Sequence, residues 1–312
     1  MSQGGHAVAW VGRATVRTGR SVRVRRCARP LALGVAGVLA SVVALAGCST
    51  TVAPPVAAPV PQDPNPTAVG PPTPRTVVSL TFDDGNGTQY TIFPELLEHG
   101  MRATFYVNTG LVDRGDTSVM TWDELRRLSL AGNDIGGHTR DHPHLTQLAP
   151  ADQRAEVCGD RDRLVAQGFD PVSFAYPFGE YDAATEALVR SCGYRTARGT
   201  GGLDNAVYSE SMPPTDPYAV ASMTGGDENS SNGPLQLGML ESAVKAAADH
   251  GGGWVPIVLH MVCQQSTPDY QTCMRSDGPI DFTTFSQFLD WLGDQAPPGT
   301  VVKTVSDISA LP

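Results

Sequence analysis

Lysine is almost absent from this chain of 312 residues: Lys245 and Lys303 are the only two, and every other basic residue is an arginine. Arginine in place of lysine throughout reads as the codon usage of a high-GC genome, not as chemistry. Positive charge is also scarce where a folded body would lie. Arg13, Arg17, Arg20, Arg23, Arg25, Arg26 and Arg29 fall within the first 47 residues, which contain no acid. Without those seven, 15 basic residues face 32 acidic ones, a net charge of −17 where the whole chain carries −10. So acidic a body repels nucleic acid and anionic polymers, so no nucleic-acid partner is expected and a neutral substrate fits better. Long apolar runs are missing as well. The longest, Leu31–Ala46, has sixteen residues and is short for a membrane-spanning helix. There is no CxxC pair, and no repeat that would form a separate carbohydrate-binding module.

A basic segment, an apolar run and small residues in that order describe an export signal. The run ends Leu45-Ala46-Gly47-Cys48, which looks like a bacterial lipobox whose cysteine is lipidated and becomes the mature N-terminus. Arg25-Arg26 lacks the flanks of a strong twin-arginine signal. Residues 1–47 are therefore expected to be a lipoprotein signal peptide, with Cys48 as lipid anchor. Residues 48–75 follow as a tether with nine prolines, unable to bury a core and inclined to extended polyproline conformations. The chain is expected to be exported and held on the cell membrane, facing the envelope or the exterior. The folded domain is expected over residues 76–312.

Strand-like and helix-like segments alternate through that domain. Strands are expected at 76–82, 103–108, 134–137, 172–176, 194–197, 255–260 and 301–304. Helices are expected at 90–99, 121–131, 150–167, 183–191, 235–250 and 282–294. Thr121-Trp122-Asp123-Glu124 is a capping-box pattern. The Gly-rich stretch 199–234 has little periodicity and reads as a loop. Such alternation implies a parallel sheet covered by helices, and about seven units suggest a closed or nearly closed α/β barrel.

Three strings carry the chemistry, each at the end of an apolar run: Thr81-Phe82-Asp83-Asp84-Gly85, His138-Thr139-Arg140-Asp141-His142-Pro143 and Ile257-Val258-Leu259-His260. In parallel α/β folds, sites gather where strands end and loops begin. Consecutive aspartates at a strand end point in different directions, so one can bind metal while the other faces a substrate. An Asp-Gly turn that closes a strand is the plainer reading of the first string. His138 and His142, four apart, would share one side of a helical turn, with Pro143 stopping it. One carboxylate and two imidazoles suit zinc or another borderline divalent ion, with a position left for water. His260 ends an apolar run, where a buried histidine needs a partner or a task. His144 reads as a surface residue.

Together these strings resemble the motifs of the NodB-homology polysaccharide deacetylase family (carbohydrate esterase family 4), in order and in spacing, over about Val77–Val305. The resemblance implies a deformed (β/α) barrel of about seven parallel strands and removal of acetyl groups from sugars. It implies that Asp84, His138 and His142 hold the metal, that Asp83 is the general base and that His260 is the general acid. Leu259 would help line the acetyl pocket. Where many members have Arg-Pro-Pro-Tyr-Gly, this chain has Ala175-Tyr176-Pro177-Phe178-Gly179. Proline, an aromatic and glycine are kept, so Tyr176, Pro177 and Phe178 are expected at the substrate and oxyanion. Ala175 stands in place of the arginine that orients the base. Arg198, at the next strand, is a substitute for it or a plain ion-pair arginine. A later Asp-x-x-Asp-Trp string of the family is also missing.

The expected partner is an acetylated polysaccharide of the cell envelope or exterior: peptidoglycan, a chitin-like polymer or poly-N-acetylglucosamine. An O-acetyl esterase on xylan-like polymers and a binding relative without turnover are the alternatives. Outside the leader, which holds Cys27 and Cys48, four cysteines remain: Cys158, Cys192, Cys263 and Cys273. An even count in an exported chain implies two disulfides, with three pairings open. Cys263 and Cys273 bracket a short loop past His260, and Cys158 and Cys192 fall on successive helices, which favours those two pairs over a zinc site.

Overall fold

The computed structural model describes residues 76–204, 206–224 and 233–310. The expected leader 1–47 and the expected tether 48–75, with Cys27 and Cys48, lie outside the described residues, as does part of the 199–234 stretch.

The sheet is organised around Thr76–Phe82 (β1), all seven residues of which are buried. A strand covered on both faces must be apolar or internally satisfied. Two of its polar members meet this condition: Thr81 Oγ1 donates to the Ile257 carbonyl at 2.8 Å and Ser79 Oγ to the Lys303 carbonyl at 2.7 Å. After a 3-10 turn at Gly87–Ile92 come α1 (Phe93–Glu98), β2 (Thr104–Val107), α2 (Thr109–Asp113), α3 (Trp122–Leu130) and β3 (Asp134–Gly137). Next are α4 (Pro150–Ala166), β4 (Ser173–Ala175), α5 (Ala183–Cys192), β5 (Thr196–Gly202) and β6 (Val220–Ser222). The chain continues through α6 (Leu237–Asp249), β7 (Gly253–Leu259), β8 (Val262–Cys263), α7 (Tyr270–Cys273) and β9 (Ile280–Asp281). It ends with α8 (Phe282–Asp294), β10 (Thr300–Val302) and α9 (Val305–Ser309).

All strand pairs are parallel. The order runs β1-β2-β3-β4-β5-β6, and β7 lies along the full length of β1, from Thr76 against Gly253 to Phe82 against Leu259. Just past β6, the Met223 N–H donates to the Pro256 carbonyl and the Val258 N–H to the Met223 carbonyl, both at 2.8 Å. Strands β1 to β7 therefore close into a ring, the barrel that the alternation suggested and the deformed (β/α) form that the resemblance implied, with β10 paired to the start of β1. The apolar faces of α1, α3, α6 and α8 pack on its outside, with Leu96, Leu125, Leu240, Phe285 and Phe288 fully or almost fully buried.

Local signals set the helix ends. Thr121 caps α3 with the reciprocal Glu124 bond of a capping box, as its sequence suggested. Asp182 caps α5, and Gly193 ends it at φ 100°, where a Cβ would be strained. Cys158–Cys192 ties α4 to α5 and Cys263–Cys273 closes the loop after β8, which are the two favoured pairings.

Two expectations need correction. The helix expected over 90–99 starts as the 3-10 turn and becomes α-helical only at Phe93. The stretch 199–234 is not wholly loop, since β5 runs on to Gly202 and β6 lies inside it. Gly201 and Gly202 take φ 79° and 91°, and the β5–β6 register shifts between Arg198 and Gly202. That irregularity hides the period of two by which a strand is read. No helix among the described residues is long and apolar enough to cross a membrane.

Candidate active site

The site lies at the carboxyl ends of β1, β3, β4, β5 and β7. Asp83 continues the strand, its N–H donating to the Leu259 carbonyl at 2.9 Å, and its side chain is buried. At Asp84 the backbone turns to φ 68°, followed by Gly85 at φ 63°. A Cβ on Gly85 would stand 3.0 Å from Val107 Cγ1, so this turn needs glycine for space as well as conformation. The turn sends the two carboxylates different ways: Asp83 meets Arg198, and Asp84 meets the histidines.

His138 follows β3 and is buried. Its Nδ1 lies 2.7 Å from the Ala175 carbonyl, a bond that fixes the ring and leaves Nε2 free. Its backbone N–H faces Asp160 Oδ2 at 3.2 Å, and Asn108 Nδ2 donates to its carbonyl at 2.5 Å. Asp160 is itself fully buried, and burial pushes its carboxyl up to about 8. His142 reaches the same point by a different route from the helical turn expected. Thr139 and His142 take φ 67° and 57°, so the four-residue spacing closes through left-handed backbone. Two bonds hold that loop: the His142 N–H donates to Thr139 Oγ1 at 3.0 Å, and the Asp141 N–H donates to Glu156 at 2.9 Å.

Asp84 Oδ1 stands 3.4 Å from Nε2 of His138 and 3.4 Å from Nε2 of His142. These distances are long for hydrogen bonds. They match the spacing of neighbouring ligands around one ion with bonds of about 2.0–2.2 Å. The three donor atoms lie within 4.8 Å of one another, the only such group of three or more among the described residues. Burial alone would raise the Asp84 carboxyl, but bonding and charge from His138, His260 and His142 hold it far below the usual range. Burial, then the charge on His138, pushes His142 down to about 4. Burial opposes protonation of His138 too, but Asp84 and Asp83 outweigh it and raise its pKa. An ionised Asp84 with a neutral His142 is a ligand-ready pair. The donor set therefore fits a borderline divalent cation.

Arg198 comes in from the strand beside Ala175. Ala175 and Arg198 are register partners on β4 and β5, and the Arg198 guanidinium reaches Asp83 Oδ1 in an ion pair with both side chains almost fully buried. Arg198 also lies over the Tyr106 ring at 4.7 Å. This position corrects its placement among the substrate-binding residues: it stands behind Asp83, outside the cleft.

The cleft has a volume of about 380 Å³ and is lined by Asp83, Asp84, His138, His142 and His260, with Tyr176, Phe178, Thr200, Thr224, Val258 and Asp277 among its walls. Pro177 is buried and not in the lining. Leu259 is also corrected. Side chains alternate along β7, so Val258 lines the cleft and Leu259 packs into the outer core. His260 Nδ1 is buried without a hydrogen-bond partner among the described residues, and a Cβ on Gly278 would approach it to 2.7 Å.

Sequence reasoning missed Gln89. Fully buried on the 3-10 turn, its Nε2 donates to the Asp83 carbonyl and, at 2.9 Å, to the His260 carbonyl. One amide thus clamps the strand ends that carry both residues. A polar side chain three residues before the apolar core position Ile92 offers no signal of this, because the bonds depend on β1 and β7 being adjacent.

The model of the polysaccharide deacetylase family matches residues 70–197, which include Asp83, Asp84, His138 and His142. That match spans less than half of the chain. The chain is 31% identical over 148 residues to a chitin deacetylase of Colletotrichum lindemuthianum, covering 45% of this chain and 56% of that one. It is 28% identical over 109 residues to a peptidoglycan-N-acetylglucosamine deacetylase of Bacillus cereus, covering 34% and 38%. The chain thus spans about half the length, or less, of these curated relatives. Among solved structures, the peptidoglycan deacetylase PdaC of Bacillus subtilis aligns over 75% of this chain and 90% of its own, at 18% identity and a TM-score of 0.44.

Proposed function

We propose that this chain is a metal-dependent deacetylase that removes acetyl groups from the N-acetylated sugars of a cell-envelope or extracellular polysaccharide. The observation that carries this reading is the meeting of the Asp84–His138–His142 donor set with Asp83 and His260 in one cleft. When bound there, a divalent ion, zinc by the character of the donors, would acidify a water molecule and polarise the acetyl carbonyl. Asp83 is the general base: Arg198 holds one of its oxygens, and the carboxylate faces the cleft to accept the water proton. His260, across the cleft, is the general acid that protonates the departing amine. The Phe178 N–H would hold the developing oxyanion. The acidic body favours an uncharged polymer. Export through residues 1–47 and lipid attachment at Cys48 belong to the same reading, and Cys48→Ser should release the protein from membranes.

Acetate release from chitin oligosaccharides and from an aryl acetate ester tests it, with and without a chelator. Release from the oligosaccharide that a chelator stops is expected. Asp83→Asn should keep the metal and lose about 10²–10⁴-fold in rate. Turnover of the ester alone would make the protein an O-acetyl esterase, and binding without turnover a carbohydrate-binding relative.

A further inference from the structure

Among the described residues only two aromatic side chains are exposed, Phe178 at 50% and Tyr181 at 38%. Both stand on the turn between β4 and α5, at the rim of the cleft. Aromatic rings left in water beside a polar cleft mark a surface that meets something flat and partly apolar. Phe178 is held there at φ 59°, a conformation unfavourable for any residue with a Cβ. Its ring meets His142 edge-on at 4.5 Å and stacks on His144 at 3.9 Å, nearly parallel. His144 Nδ1 lies 2.9 Å from Glu180 Oε2. Neither side chain has another hydrogen-bonding or ionic side-chain partner among the described residues, and both are substantially exposed. His144 and Glu180 lie outside the cleft lining and have no part in the reaction above.

The geometry points to a second sugar-binding subsite, formed by His144, Glu180 and the exposed part of Phe178, that takes the pyranose ring next to the one being deacetylated. It rests on the deacetylase reading for the identity of the polymer. A pyranose has an apolar C–H face and a rim of hydroxyls. The stacked rings offer a flat surface for the first. Glu180 accepts hydroxyl protons, and with His144 Nδ1–H donating to Glu180, His144 Nε2 accepts another. Phe178 belongs to both the cleft and the stack, so the subsite continues the cleft outward by one ring. The Glu180 carboxylate would repel a neighbour carrying its own carboxylate, such as a uronic acid or a lactyl-substituted sugar. The subsite therefore selects a neutral chain.

The test compares the native chain, His144→Ala and Glu180→Gln on an aryl acetate ester, which reaches only the cleft, and on the N-acetylglucosamine pentamer. Calorimetry with a chelator present measures pentamer binding without turnover. In both variants, the pentamer-to-ester ratio of kcat/KM should fall about tenfold through KM, and pentamer affinity should fall by a similar factor. An unchanged ratio overturns the subsite, whether both rates fall together, as they would if His144 only props Phe178 against His142, or neither moves. Should the native protein release no acetate at all, the deacetylase reading fails and the binding arm decides. Pentamer bound natively and weakened in both variants upholds the subsite; no binding, or equal binding, removes it.

Discussion

From β7 through β1 to β3, the ring is regular. β7 and β1 pair over seven consecutive positions, and β2 and β3 over four. From β5 to β6 it is not. The register shifts within β5, β6 has three residues, and one residue, Met223, closes the gap to β7. The family match stops at residue 197, where the irregular part begins. The two regions also supply different things. The regular part carries Asp83, Asp84, His138, His142 and His260. The irregular part supplies walls, Thr200, Gly201 and Thr224, and a single inward charge, Arg198. Groups that must stay within a fraction of an ångström sit on strands whose register is pinned, and shape is left to the part free to vary.

That division can be broken most directly at the ligands. His138→Ala or Asp84→Ala should empty the site of metal and cost at least about 10²–10³-fold in kcat while the fold persists, as elemental analysis, circular dichroism and rate assays would show. A variant that keeps its metal would mean that the regular part does not hold it. Arg198 is the one place where the irregular part reaches the reacting groups. Arg198→Ala should leave Asp83 buried without its partner, destabilising the fold by about 3–5 kcal/mol and lowering kcat more than it changes KM. Denaturant unfolding and kinetics, repeated in the Asp83→Asn background, should give clearly non-additive losses; additive ones would separate the two residues. Gln89→Met tests the clamp inside the regular part. The side chain keeps its size but loses both donors, at a cost of about 1–3 kcal/mol, and kcat should fall with KM little altered. Loss of stability with unchanged kcat would reduce Gln89 to a structural amide. The smallest effect is expected at the Cys263–Cys273 loop. Closing it contributes on the order of 2–3 kcal/mol, and Cys263→Ser with Cys273→Ser should lower deacetylation more than the melting temperature, because the loop begins three residues after His260. The reverse order of effects would confine that disulfide to stability.

The same contrast explains what could be read before the fold was known. β1, β3 and α8 have the expected ends because an unbroken apolar run, a short apolar strand after a Gly-Asn turn and an Asp cap are local signals. The disulfide pairs were legible because one encloses a ten-residue step and the other joins neighbouring helices. The aspartates and histidines were legible as residue types at set spacings, but the path of His142 was not. It depends on left-handed backbone at Thr139, which no side-chain pattern announces. The choice between Val258 and Leu259 turns on which face of β7 looks into the ring, a matter of register. Gln89, and the pairing of Arg198 with Asp83, depend on contacts across 115 residues or more, beyond the reach of local pattern.

Ala175 and Arg198 sit side by side on adjacent strands, so a guanidinium rooted at either position can reach the same carboxylate. An ancestor could gain the second arginine before losing the first, and the base would never be left unheld. Descendants of such a lineage should carry one arginine across the two positions, rarely both and seldom neither. The two columns would then covary as alternatives, and the register partner of an apparently lost motif residue would be the place to look for its successor.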